Sequence, residues 1–308
     1  MVGYNNVFIN RDVERALFRS MLISSPGTRR VLAIGDQSGH GKSSLLRKLR
    51  DECDEANVPA CLIELGDKQI IKSDFDLIDK IRDEFNVYND VKFEGYDRLN
   101  HARLRKDIGP FINKSGSDPA KDINASGANL NDDAKMIGNV ENYYDAENIH
   151  IHSRQNPEWP SAAYEDKARK ICIDAFFEDV KKIDKASTIV ILLDAWDKCD
   201  NPLQRWISMQ LLSNLVLAKG TVTNVVAVVA GIDLAQQLIT RKKEDVHFID
   251  KLSEWDFEHM KALFESYGYF LKDSDIETLR LKVNKGDISL IGALQVAKIF
   301  SSRNTGSV

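Results

Sequence analysis

Between an apolar run, Arg30-Val-Leu-Ala-Ile34, and an amphipathic stretch, Ser43–Glu55, lies the segment Gly35-Asp-Gln-Ser-Gly39-His-Gly41-Lys42-Ser43-Ser44. No other segment restricts the fold as tightly. The apolar run reads as a buried strand, and the amphipathic stretch as a helix opening directly out of the loop. Glycine-rich backbone can turn several consecutive N–H groups toward one point, and a helix starting there aims its N-terminal dipole at the same point. The ligand suited to such a place is an anion with several oxygens.

The spacing follows the phosphate-loop pattern G-x-x-x-x-G-K-[ST], except that Asp36 occupies the first glycine position. Ser38, Gly39, His40, Gly41, Lys42, Ser43 and Ser44 are therefore the candidate nucleotide-binding residues. Lys42 would face the β- and γ-phosphates and assist catalysis. The Ser43 hydroxyl would ligate Mg²⁺. The alternative is a glycine turn in an ordinary strand–loop–helix unit; strand, glycines, Lys42 and helix all in register favour ATP with Mg²⁺. A second acidic motif completes the set. Thr188–Leu193 is an apolar run that delivers Asp194, with Asp197 three residues on. A carboxylate at a strand's C-terminal end sits where open parallel sheets bind ligands, so Asp194 is the second Mg²⁺ candidate, or else a turn cap. Asp197 either orients and deprotonates an attacking water or caps the helix that follows.

The rest of the chain alternates in the same way. Strand-like runs recur at 60–65, 222–232 and 246–252, and helical periodicity at 8–22, 74–85, 162–183 and 202–217. Helices are expected at 257–267, 274–283 and 290–301. This predicts an α/β fold, a P-loop NTPase with a parallel sheet flanked by helices, plus a small C-terminal all-α lid. The expected domains are 1–252 and 253–308. The separation of Lys42 from Asp194 exceeds what one further strand and its helices need. The excess matches residues 114–161, rich in Asn, Asp, Gly and Ser, which read as an inserted flexible segment or β-hairpin.

Composition narrows the function. Lys and Arg total 42 against 47 Asp and Glu, a formal charge of −5, which argues against a protein that coats nucleic acid. No apolar run approaches the ~20 residues of a membrane span, and the N-terminus lacks a signal-peptide pattern. Cys53, Cys61, Cys172 and Cys199 show no paired or zinc spacing, so free thiols in a cytoplasmic protein are expected. His150-x-His152 lacks a third ligand for a metal. Tyr143, Tyr144 and Trp159 are either a contact surface or anchors of the insertion.

Taken in order, these segments resemble the STAND class of signalling ATPases, relatives of AAA+ and origin-recognition ATPases that include the NACHT group. Phe8-Ile-Asn10-Arg11-Asp-Val-Glu14 is similar to the hhGRxxE box, which implies that Arg11 approaches the adenine. Leu192-Leu-Asp194-Ala-Trp-Asp197 resembles a D-x-x-[DE] Walker B, and Val225–Gly231 a sensor-1 strand, with Ile232 where many members have arginine. Gly286-Asp-Ile288 stands where the lid's G-x-P box would fall, without its proline. The resemblance implies a slow Mg²⁺-dependent ATPase. Its nucleotide state would control self-association or docking of a separate effector protein, a mode suited to bacterial defence or stress signalling. Two other readings are a DNA-transaction ATPase oligomerising on nucleic acid and a non-hydrolysing ATP-binding module.

Overall fold

The computed structural model describes residues 10–23, 29–88, 91–105, 162–183, 188–215, 224–232, 234, 238 and 246–305. Five strands form one sheet: β1 (Val31–Gly35), β2 (Ala60–Glu64), β3 (Ile189–Asp194), β4 (Val225–Gly231) and β5 (Val246–Ile249). Their order is β2-β3-β4-β1-β5, and every pairing is parallel. The expectation of a parallel sheet flanked by helices is met, for a simple reason. Near-continuous apolar strands are stable only when both sheet faces are covered. On one face Leu32, Ile34, Val190, Leu192, Val226, Val228 and Ala230 pack with Phe18 and Met21 of α1 (Asp12–Ile23) and Leu45, Leu46 and Leu49 of α2 (Lys42–Glu55). The intervening residues Val31, Ala33, Ile191, Leu193, Ala227 and Val229 are buried as well.

Polar contacts fix the helices on this sheet. Glu52 of α2 accepts hydrogen bonds from Arg15 Nε at 2.5 Å and from Arg19 Nε and Nη2 at 2.9 Å, joining α1 to α2. The Ser73 hydroxyl caps α3 (Asp74–Phe85) by accepting the Asp76 N–H at 3.2 Å. Helix α1 begins at Asp12, not at residue 8, because Asn10 and Arg11 have φ of 71° and 81° and cannot be helical.

The chain divides into two compact units, one of residues 1–88 with 184–308 and the other of residues 89–183. In the second unit α4 (Glu94–Leu104), not anticipated from the sequence, packs on α5 (Ala162–Lys182). Asp179 of α5 accepts the Tyr96 N–H at 2.9 Å and so caps α4 from a distance. A Cβ at Gly95 would stand 2.9 Å from both Asp179 carboxylate oxygens, which only glycine avoids. Phe93 stacks on Phe176 with ring centroids 5.0 Å apart. The proposed insertion at 114–161, with its tyrosines, Trp159 and the two histidines, lies outside the described residues.

In the first unit, the single helix expected at 202–217 is interrupted. Helix α6 (Asn201–Trp206), capped by Asp200, runs into a π turn (Ile207–Leu211) and then Leu212–Leu215. The wider turn rotates the following residues, so Ile207, Ser208, Leu211, Leu212 and Leu215 are all buried. The C-terminal helices α7 (Phe257–Ser266), α8 (Asp273–Lys285) and α9 (Leu290–Thr305) share a core of Trp255, Met260, Phe264, Ile276, Leu279, Val283, Ala293 and Ala297. Among the described residues no helix is long and apolar enough to cross a membrane.

Candidate functional site

From β1 the chain crosses to β2 at the far edge of the sheet, and from β4 it passes β1 to reach β5. These departures diverge, which opens a crevice at the C-terminal ends of β1 and β4. The glycine loop leaves β1 at that point. Strand β4 lies between β1 and β3, so Asp194, last residue of β3, sits on the same sheet edge about 10 Å from the β1 end, two strand spacings away.

Two glycines shape the loop: Gly39 and Gly41 have φ of 81° and 95°, a region open to glycine at no cost. Gly41 precedes α2 with no side-chain cap, and the first helical bond runs from Leu45 N–H to Gly41 O at 2.9 Å. The N–H groups of Lys42, Ser43 and Ser44 therefore have no acceptor within the helix. Ser38 and Ser44 are exposed and Ser43 is half-buried.

Lys42 is buried and folds back on its own loop, donating to Asp36 O at 2.6 Å and Gln37 O at 2.7 Å. Burial lowers its pKa, while the charges of Asp36, Asp197 and Asp194 act in the opposite direction. The same three carboxylates are therefore within electrostatic reach of one ammonium.

Asp36 explains why this loop departs from the usual glycine. Its Oδ1 accepts the Gln37 N–H at 2.7 Å and pairs with His40 Nδ1 at 2.9 Å. Its Oδ2 accepts the Leu252 N–H at 3.0 Å, which draws the chain after β5 onto the loop and accounts for β5 ending at Ile249, short of the expected 252. Sequence reasoning registered Asp36 only as a mismatch; its carboxylate is a hub.

The two acids differ in setting. Asp194 Oδ1 accepts the N–H of Ala195 at 2.8 Å, with Ala195 in the left-handed region at φ 59°. Asp197 is exposed, and its Oδ1 accepts the Ile232 N–H at 3.0 Å, tying the end of β4 to the turn after β3. The helix after that turn is capped by Asp200 instead. Close approach there requires Gly231, since a Cβ would meet Trp196 Cβ at 2.6 Å. For Mg²⁺ the donor set is sparse: among the described residues no group of three His, Cys, Asp or Glu could hold a metal. One hydroxyl and one carboxylate oxygen, Ser43 Oγ and Asp194 Oδ2, are free of hydrogen bonds among the described residues. That sparse set suits Mg²⁺, which keeps waters and shares its shell with substrate phosphates. Bound there, the ion would neutralise phosphate charge.

Arg11 is engaged by the protein itself. Its Nη1 donates to Ser253 O, its Nη2 to His40 O at 2.9 Å, and its guanidinium lies 5.3 Å from the Trp255 ring centroid. Glu14 Oε1 accepts the Ser253 N–H at 2.6 Å, and Asn10 Nδ2 donates to Glu254 O at 3.2 Å. The box at 10–14 thus clamps residues 253–255 to the loop. Burial lowers the Arg11 pKa, opposed by Glu14 and Asp36. Replacing Arg11 by alanine should cost about 2–3 kcal/mol of stability, because it removes the donor to the Ser253 and His40 carbonyls and the positive charge near buried Glu14. Urea unfolding of the variant measures this; an unchanged midpoint would refute the clamp.

The helical tail also touches the loop. Leu290 N–H donates to Gly39 O at 3.2 Å. A Cβ on Gly39 would stand 2.5 Å from Ser289 Cβ, and one on Gly286 2.5 Å from Gln37 Oε1. Between loop and tail lies a cleft of about 540 Å³, lined by Asp36 and Gln37, by Ile232 past β4, by Asp250 past β5, and by Lys285 and Gly286 at the end of α8. Lys42, Ser43, Asp194 and Asp197 do not line this cleft. Comparison with protein-family models finds no match for this chain, and no curated protein matches its sequence.

Proposed function

We propose that the chain is a P-loop nucleotide-binding protein that takes ATP with Mg²⁺ at the loop Asp36–Ser44 and works as a slowly hydrolysing switch. The observation that carries this reading is positional. A glycine loop ending in Gly41-Lys42-Ser43 joins β1 to the uncapped start of α2, and Asp194 ends a strand on the same sheet edge, one strand removed. Backbone N–H groups and Lys42 would hold the phosphates, Ser43 and Asp194 the Mg²⁺, and Asp197 the attacking water. Contacts of the loop with Leu252 and with residues 286–290 support a switch, since anything that reshapes the loop acts on the tail directly. Self-association or capture of a separate effector protein would be the output, in a STAND-like manner.

The test is a calorimetric titration of the whole chain with ATP, with and without Mg²⁺, alongside thermal melts. A ligand at one hundred times its dissociation constant stabilises the folded state by about 2.7 kcal/mol, a shift readily seen in the melting temperature. No heat of binding and no shift at millimolar ATP would end this reading.

A further inference from the structure

Resting on the reading of Asp197 as the group that orients water, we infer that Gln204 of α6 is the positioning residue for Asp197, and so sets the rate of hydrolysis without touching the nucleotide. Asp197 rides on a short 3₁₀ turn, Trp196–Lys198, just past β3. Such a turn holds itself weakly. It is entered through Ala195 at φ 59°, a region unfavourable for a residue with a Cβ. Within it, Lys198 N–H donates to Ala195 O at 2.9 Å and Cys199 N–H to Trp196 O at 3.1 Å. Bonds of this tight class have poorer geometry than those of an α-helix.

Gln204 supplies the fastening. Its amide nitrogen donates to Trp196 O at 2.8 Å and to Cys199 O at 3.1 Å, the carbonyls on either side of Asp197 and Lys198. A primary amide carries two N–H groups on one nitrogen, so one side chain can bridge both. The bridge stands on a firm base. Gln204 N–H bonds to Asp200 O at 2.9 Å, the Asp200 carboxylate caps α6 through Leu203 N–H at 3.0 Å, and α6 runs on into the buried π turn. Packing confines the turn on two other sides. A Cβ on Gly66, past β2, would meet Lys198 Cδ at 2.8 Å, and one on Gly231, at the end of β4, would meet Trp196 Cβ at 2.6 Å. Trp196 itself is fully buried, whereas Asp197 is exposed. The bridge to α6 therefore decides where the exposed part of the turn, and the Asp197 carboxylate on it, stands. That carboxylate faces the loop: its charge is felt at Lys42 more strongly than that of Asp194.

Wild type, Gln204→Glu, Gln204→Met, Asp197→Asn and the double variant Gln204→Glu with Asp197→Asn should be compared in single-turnover hydrolysis of ATP with Mg²⁺, alongside ATP titrations. Ionised glutamate keeps the length of the side chain but has no proton to donate, and methionine removes the donors without adding charge. A displacement of about 1 Å, caused away from the reacting atoms, can cost about a hundredfold. Turnover should therefore fall about tenfold to a hundredfold in both Gln204 variants, with ATP affinity as in wild type. In the Asp197→Asn background Gln204→Glu should lower turnover no further, because it acts through a carboxylate already lost. Hydrogen exchange of the empty variants gives a readout independent of the reaction: residues 195–199 should exchange faster, and β1 at its wild-type rate. Wild-type turnover in either Gln204 variant, losses that multiply in the double variant, a matching fall in ATP affinity, or exchange that is unchanged at 195–199 or raised equally in β1 would overturn the assignment while leaving nucleotide binding intact. Wild type that binds ATP without hydrolysing it would overturn both the assignment and the role of Asp197. Wild type that binds no ATP would overturn the nucleotide reading itself, and the assignment with it.

Discussion

Replacing Lys42 with alanine should weaken ATP binding by about a thousandfold, near 4 kcal/mol, with little change in the melting temperature of the empty protein. The affinity estimate follows from two charge-assisted hydrogen bonds to phosphate, each worth about 1.5–3 kcal/mol. The small effect on stability follows from the geometry. Lys42 donates hydrogen bonds to Asp36 O and Gln37 O, carbonyls of a loop bordering an open cleft, where water can replace the ammonium. Its burial in the empty protein also carries a desolvation cost that alanine removes. Those two loop bonds must break before Lys42 can face a ligand, so the wild-type affinity already includes their loss. Titration and melting of the same variant read the two effects separately. Wild-type affinity in Lys42→Ala would mean that the loop is not the phosphate site.

Hydrolysis should separate the two aspartates. Asp197→Asn should lower turnover by about 10²–10⁴, the range for losing a general base, with ATP affinity nearly unchanged. Asparagine keeps an oxygen for the Ile232 N–H, so the end of β4 stays in place and only the charge is lost. Asp194→Asn also keeps its bond to the Ala195 N–H, yet should lose the Mg²⁺-dependent part of ATP affinity. Wild-type turnover itself should be slow, below about 1 s⁻¹: on the STAND-like reading the residue after β4 would be an arginine that stabilises the transition state, and here it is Ile232. Phosphate release by the isolated chain across a concentration series measures all of this. Unaltered turnover in Asp197→Asn would point to a different base. Fast, concentration-independent turnover would describe an ordinary enzyme, not a switch.

The residues that local patterning governs are legible in the sequence. The apolar runs at 30–34, 188–193 and 222–232 became β1, β3 and β4, because a buried parallel strand writes its environment directly into its composition. The three tail helices were equally plain from their periodicity. Helix α4 was not, since only Tyr96 and Leu99 of its eleven residues are buried and its cap comes from Asp179, more than eighty residues along the chain. The π turn at Ile207–Leu211 was missed because its extra residue preserves apolar content while shifting phase. At the candidate site, motif residues could be named, but their engagements could not. Asp36 reaches Leu252, Arg11 reaches Ser253, and Gly39 meets Leu290 through backbone atoms that carry no side-chain signature.

The sheet order has a consequence for how the chain is made. Of the five strands described, β1 leaves the ribosome first, yet both its neighbours, β4 and β5, are encoded about 200 residues later, as Val31 beside Ala227 and Val246 shows. Strands β2 and β3 pair with each other and not with β1. At about 5–20 residues per second, β1 and the loop behind it wait roughly 10–40 seconds for partners. During that interval an apolar strand with two open edges is exposed. The nascent chain is therefore expected to need shielding by a holding chaperone until β4 emerges, and the loop acquires its final shape only when the residues around Leu252 and Leu290 arrive.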